Sequence, residues 1–270
     1  MKALLLARGL GRRMQAAHAG APLTAAQRAA AAAGAKGMMP IGTGSRPFLD
    51  HVLSTLADAG CCDVCLVVAP DHDAIRRYYD GPGRPARVRV SYAVQPVADG
   101  TARAVLAGQA FAGDDPFLVL NADNLYPVAV LQSLAALDGP GLPAFECTAL
   151  VRDSGFPADR VAGFAVLDVD EADDLRAILE KPTAAQLAAA GPHALVSMNV
   201  WRFDHRIFTA CANVPVSARG EYELPDAVGL AIATGTPYRV IRAHGAVLDL
   251  SRQGDIPQVA ARLAGLAPRP

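Results

Sequence analysis

Short apolar runs alternate with helical patterns through the first half of the chain. Strands are predicted at Lys2–Leu6, Val64–Val68, Val88–Val94 and Phe117–Leu120, and helices at Phe48–Ala59, Asp73–Tyr79, Thr101–Phe111 and Val128–Leu137. Alternation of this kind implies an α/β fold built on a mostly parallel, doubly wound sheet. The second half is more mixed. Its apolar runs predict strands at Ala144–Val151, Gly163–Leu167, Ala194–Phe203 and Tyr238–Ala243, and helices over Asp204–Cys211, Leu224–Thr234 and Ile256–Ala264. No internal repeat interrupts this order. Between Ala16 and Gly34 the chain is Ala-rich, with Thr24 as a helix N-cap, a helix to Ala33 and Gly34 as its stop. This segment reads equally well as a passive surface insertion or as a lid over the loop before it.

At 270 residues and 52% hydrophobic content, the chain suits one domain over residues 1–270, in two halves meeting near residue 140. A formal net charge of −1 offers no broad basic field for nucleic acid or an anionic membrane. Phosphate chemistry must therefore rest on local Arg and Lys. No run is long enough to span a membrane, and the start, Met1–Arg8, is too short and charged for a secretory leader. The five cysteines, an odd number, predict free thiols in a reducing, cytoplasmic setting. Cys62 and Cys65 form a C-x-x-C, but without a second ligand pair they read as buried structural residues.

Candidate chemistry begins after the first strand, at Leu6-Ala7-Arg8-Gly9-Leu10-Gly11-Arg12-Arg13-Met14. Two glycines allow backbone amides to approach an anion, and three arginines supply charge-assisted bonds to a polyphosphate. No Gly-Lys-Ser/Thr follows, so this is not a P-loop, and the third glycine of a dinucleotide fingerprint is missing. Asn121-Ala122-Asp123-Asn124 ends an apolar strand. A carboxylate there lies at the ligand crevice of an open α/β sheet and is a hard ligand suited to magnesium.

The glycine loop resembles the L-A-A/G-G-x-G-T-R-M/L loop of the sugar-phosphate nucleotidyltransferases. Gly9, Gly11 and Arg13 match it, whereas Arg8 and Arg12 replace a small residue and a Thr. Further segments resemble that family in order. Ala35–Ile41 matches its Pro-Lys-Pro region through Lys36. Gln95–Ala102 matches Q-P-x-x-x-G-T-A, and Asp123 matches the metal-binding G-D-x. Glu180-Lys181-Pro182 matches E-K-P, and Ser197–Trp201 matches the sugar-pocket strand through Asn199. Arg219–Asp226 matches R-G-E-x-E-x-T-D with Pro225 in place of Thr, and Asp249 matches the Asp of W-x-D-I-G-T-P-E-D, although its Trp, Gly and Pro neighbours are absent.

This resemblance implies a three-layer α/β/α fold with a Rossmann-like mixed sheet of the nucleotide-diphospho-sugar transferase type. It implies magnesium-dependent transfer of a nucleoside monophosphate from a nucleoside triphosphate to a sugar 1-phosphate, with release of pyrophosphate. Arg13, Lys36, Asp123 and Lys181 would be catalytic. Ala7, Gly9, Gly11, Gln95, Gly100 and Thr101 would bind nucleotide, with UTP or dTTP preferred from Gln95, Gly100 and the Arg-Gly-Glu-Tyr-Glu segment. Glu180, Lys181 and Asn199 would bind the sugar phosphate, and Asp123 and Asp249 the magnesium. The sequence leaves a homo-oligomer open. Two other readings share the architecture. One is a nucleotide-sugar glycosyltransferase, which usually needs a D-x-D where this chain has Asp123-Asn124-Leu125. The other is a regulatory paralogue that binds nucleotide sugar without turnover.

Overall fold

Leu4 and Leu5 point to opposite faces of one central strand and enter two separate cores, which is the origin of the layered architecture. The computed structural model describes residues 1–9, 11–16, 23–191 and 193–270. Its strands in chain order are β1 (Lys2–Leu6), β2 (Pro40–Ile41), β3 (Arg46–Pro47), β4 (Asp63–Val68), β5 (Arg89–Val94), β6 (Phe117–Asn121), β7 (Asn124–Leu125), β8 (Gly141–Glu146), β9 (Val166–Val169), β10 (Leu175–Leu179), β11 (Leu195–Ser197), β12 (Val200–Phe203), β13 (Arg239–Ala243) and β14 (Leu248–Asp249). The main sheet runs β10-β9-β11-β8-β12-β6-β1-β4-β5, with β13 paired to β8.

The sheet is mixed, its antiparallel half including one parallel pair, β13 with β8. β6, β1, β4 and β5 are mutually parallel, whereas β12, β11, β9 and β10 enter antiparallel beyond β6. Ala3 and Leu5 pack with the helices Phe48–Asp58, Asp73–Tyr79 and Val128–Ala135 on one face. Leu4, Cys65 and Val67 pack with Thr101–Ala107, Arg206–Asn213 and Leu224–Ala233 on the other. Parallel strands covered on both faces need near-continuous apolar sequence, as Ala3-Leu4-Leu5 and Val64–Val68 supply. Register then aligns the strand ends: Leu6 stands beside Val67 and Asn121. The loops after β1, β4, β5 and β6 therefore open at one edge of the sheet.

Most predicted elements of the first half are present to within a residue or two. Thr24 caps Ala25–Ala32 through a reciprocal capping box with Gln27, and Gly34 follows at φ +67°. Residues 17–22 of the Ala-rich segment lie outside the described residues. Thr101–Phe111 is two helices that meet at Gly108, where a Cβ would lie 2.5 Å from Leu4 Cδ1. Of the C-x-x-C pair, Cys65 is buried and Cys62 exposed, and all five cysteines are free.

The second half departs more. Ala144–Val151 is not one strand. β8 ends at Glu146, where its pairing with β11 ends, and Cys147–Ser154 turns helical so that Leu150 and Ser154 are buried. Ala194–Phe203 is two strands, because Asn199 adopts φ +58° between β11 and β12. The strand predicted at Gly163–Leu167 begins only at Val166, and β10 and the helix Ala184–Ala190 were not predicted at all.

Candidate active site

Two adjoining cavities open at the carboxyl edge of the parallel strands. The larger, about 820 Å³, is lined from the β1 loop by Ala7, Arg8, Gly9, Gly11, Arg12 and Arg13. Lys36, Gln95, Gly100, Thr101 and Asp123 also line it, with Asp71, His72, Asn121 and Glu221 among its other polar residues. The smaller, about 180 Å³, is lined by Glu180, Asn199, Arg219 and Glu223. Leu6, Thr101 and Asn121 line both, so the chambers share a wall at the ends of β1 and β6.

The glycine loop is fixed from behind. Gly11 has φ +61°, and a Cβ there would lie 2.6 Å from the Cα of Gly34. Gln253 Nε2 donates to the Met14 carbonyl at 2.9 Å. The end of the Ala-rich helix thus forms part of the cavity wall through Ala33, Gly34 and Ala35.

Across the cavity, the loop after β5 is zipped to the Arg219–Leu224 segment. Gly100 has φ +127°, and a Cβ there would meet the Tyr222 nitrogen at 2.5 Å. Tyr222 N–H donates to Asp99 O at 2.8 Å, Ala102 N–H to Tyr222 O at 2.9 Å, and Leu224 N–H to Thr101 Oγ1 at 2.9 Å. Buried Gln95 spends its Nε2 donors on Gly100 O and Asp99 Oδ1, at 3.0 and 3.1 Å. Arg8 spans the mouth of this loop, donating from Nε to Gln95 O at 2.8 Å and from Nη2 to Pro96 O at 3.0 Å. Pro225 falls in the first turn of Leu224–Ala233, where its missing N–H costs nothing.

The acidic pair is assembled by a two-residue bridge. Short β14 pairs antiparallel with β7, putting Asp249 opposite Asn124, and Leu250 N–H donates to the Asp123 carbonyl at 2.9 Å. Each carboxylate has a cationic partner. Lys36 Nζ is 2.7 Å from Asp123 Oδ2, and Arg160 Nη2 is 2.5 Å from Asp249 Oδ2. Ser251 Oγ donates to Asp249 Oδ1 at 2.6 Å. Burial first, and the charge of Asp123 second, push the Asp249 carboxyl up to about 6, against the pull of Arg160 and Ser251. Among the described residues no group of three or more His, Cys, Asp or Glu converges on a metal-sized site. Asp123 and Asp249 are the two carboxylates that the β7–β14 pairing brings together, and carboxylate oxygens are ligands of the kind that magnesium accepts.

Of the expected site residues, Glu180 and Asn199 come together in the smaller cavity, whereas Lys181 is exposed and lines neither chamber. Lys181 and Asn199 both hold positive φ, +47° and +58°. Such backbone strain persists where surrounding structure enforces it. Two cations escaped the sequence reading. Arg219 lines the smaller cavity and pairs with Glu223 at 2.6 Å. Arg160 reaches Asp249 across 89 positions. The Arg-Gly-Glu segment pointed toward Arg219, but no motif pointed to Arg160. Trp201 is a core residue, 1% exposed, and among the described residues no helix is long and apolar enough to cross a membrane.

Comparison with known proteins places these features in context. The family model described as nucleotidyl transferase matches residues 2–250. A UTP–glucose-1-phosphate uridylyltransferase of Haloferax volcanii is 28% identical over 268 residues, covering 97% of this chain and 96% of the relative. A glucose-1-phosphate thymidylyltransferase of Neisseria gonorrhoeae is 27% identical, covering 96% and 81%. Among solved structures, a UDP-glucose pyrophosphorylase complexed with UDP-glucose superposes with a TM-score of 0.72 at 18% identity, covering 97% of both chains. A glucose-1-phosphate thymidylyltransferase from Bacillus anthracis superposes with the same score at 20% identity, covering 99% and 96%.

Proposed function

Because the chain belongs to the nucleotidyl transferase family, we propose that its two chambers join a nucleoside triphosphate to a sugar 1-phosphate, releasing pyrophosphate and a nucleotide sugar. The observation that carries this reading is the shared wall. The larger chamber has the glycine loop, Arg13 and Lys36 for a polyphosphate, and the smaller has Glu180, Asn199 and Arg219 for a phosphorylated sugar. Substrates seated in both would meet at Leu6, Thr101 and Asn121.

A phosphate monoester has its second pKa near ~6, so the nucleophile is largely dianionic at neutral pH and needs no general base. The chain's work is to hold two anions in line and offset their repulsion. Gly9 and Gly11 amides with Arg13 receive the leaving pyrophosphate. Lys36 serves the triphosphate, and Lys181 with Arg219 serves the sugar phosphate. Glu180 accepts from sugar hydroxyls. Asp123 and Asp249 are hard carboxylates whose mutual repulsion a divalent cation would relieve, so the donor set fits magnesium. When bound, it would supply charge neutralisation at the α-phosphate. UTP or dTTP as nucleotide, and a hexose 1-phosphate as acceptor, are supported by the names of the Haloferax and Neisseria relatives and by the Gln95–Gly100 loop.

The test is pyrophosphate release from each nucleoside triphosphate against a panel of sugar 1-phosphates, with and without magnesium. Release that requires both UTP or dTTP and a hexose 1-phosphate is the expected result. Nucleotide-sugar consumption without pyrophosphate would indicate a glycosyltransferase. Binding of nucleotide sugar with no turnover for any pair would indicate a regulatory protein.

A further inference from the structure

Arg160 is unusually well built for a residue that no motif announces. It lies in the helical turn Ala158–Val161, its side chain only 12% exposed. Its guanidinium stands over the Phe156 ring, 5.1 Å from the centroid, and that ring meets Phe164 edge-on. From there it forks. Nη2 donates to Asp249 Oδ2 at 2.5 Å and Nη1 to Asp255 Oδ1 at 2.8 Å. Ser251 occupies the other oxygen of Asp249, and the Ser251 and Arg252 amides occupy the other oxygen of Asp255. All four carboxylate oxygens therefore accept a hydrogen bond, and a cation approaching Asp249 meets the positive charge of Arg160 on Oδ2.

We infer that Arg160 is a positioning residue and resident counter-ion of Asp249, which holds that carboxylate beside Asp123 before loading and yields Oδ2 to an entering divalent cation while staying anchored on Asp255. The inference rests on the reading of Asp123 and Asp249 as the metal pair. Its consequence is an order of binding. A guanidinium on Oδ2 competes with a free cation, so the nucleotide-free protein binds metal weakly. Metal instead enters with the polyphosphate, whose added negative charge outweighs Arg160. The stacked ring and Asp255 let the guanidinium shift by one hydrogen bond without losing its place.

Titration of Mn²⁺ into nucleotide-free protein, followed by electron paramagnetic resonance of the free ion at pH 8, reads this without turnover. Arg160→Gln should bind Mn²⁺ about 10-fold more tightly than wild type, the scale of one partly screened charge at this range. Arg160→Lys, which keeps the charge and guards against a folding artefact, should stay within about twofold of wild type. In Arg160→Gln/Asp249→Asn the gain should vanish, which locates it at this carboxylate. Arg160→Gln with unchanged or weaker Mn²⁺ affinity, while Asp249→Asn still weakens wild-type binding, overturns the counter-ion role alone. If Asp249→Asn leaves Mn²⁺ binding untouched in both backgrounds, the metal pair itself is wrong and the inference falls with it.

Discussion

Gly11 is packed against Gly34, so closely that a Cβ on Gly11 would lie 2.6 Å from the Gly34 Cα. The contact ties the glycine loop to the end of the Ala-rich helix. Gly11→Ala also forces a side chain to φ +61°, and should destabilise the protein by roughly 1–3 kcal/mol. Nucleotide affinity should fall with it. Gly9→Ala, with nothing within 4 Å of the added carbon, should stay within about 0.5 kcal/mol of wild type in thermal melts. Equal destabilisation of the two variants would mean that the loop is not pinned through Gly11.

Asp123→Asn should keep the fold, because its Lys36 partner retains access to water, and lose about 10²–10³-fold in turnover, as expected when one preorganised charge is removed. Turnover above about a tenth of wild type at saturating magnesium would take Asp123 out of the metal site.

Lys36 and Lys181 stand in different surroundings and should fail differently. Lys36 is bonded to Asp123 in the larger chamber. Lys181 is exposed and lines neither chamber, following Glu180 of the smaller one in the chain. Lys36→Ala should weaken nucleotide binding by about 10- to 150-fold, the worth of a charge-assisted phosphate contact. Lys181→Ala should leave nucleotide binding intact while raising the KM for sugar 1-phosphate and lowering kcat. Calorimetric titration of nucleotide into both variants decides this, and equal losses would remove the division between chambers.

Nucleotide should slow amide exchange across Thr24–Gly34, since Ala33, Gly34 and Ala35 line the larger chamber. Exchange mass spectrometry with and without UTP measures it. No change across that segment would make it a wall that substrate does not touch.

His51 gives stability a pH dependence. It is 5% exposed, and its Nε2 has no hydrogen-bond partner among the described residues. Burial lowers its pKa below the ordinary value, outweighing the backbone bond to Ile41 and the charge of Asp50. The unfolded chain therefore binds the proton first. His51 should cost stability as pH falls from about 6.5 toward its depressed folded value, and leave stability flat in pH above that window. Unfolding free energies of wild type and His51→Gln should diverge on acidification through this range. Parallel curves would exclude His51 as the cause.

By itself the sequence determined the parallel half of the sheet and nearly all of the larger chamber. Strands buried on both faces must be continuously apolar, and the loops that follow them carry local patterns: Gly9 and Gly11, Gln95 and Gly100, Asp123. Each of these depends on residues adjacent in the chain, so each is visible in a short window. The antiparallel half was legible only in part. Where β8 ends and the chain turns helical depends on how far β11 pairs with it, and the break at Asn199 depends on a backbone angle that no apolar pattern encodes. Tertiary structure alone decided the electrostatics. The two-residue pairing of β7 with β14 brings Asp249 to Asp123, and the turn at Ala158–Val161 brings Arg160 onto Asp249 from 89 positions away. Coulomb interactions act through space and take no account of chain distance, so the partners of a buried charge emerge only when the chain has closed around it.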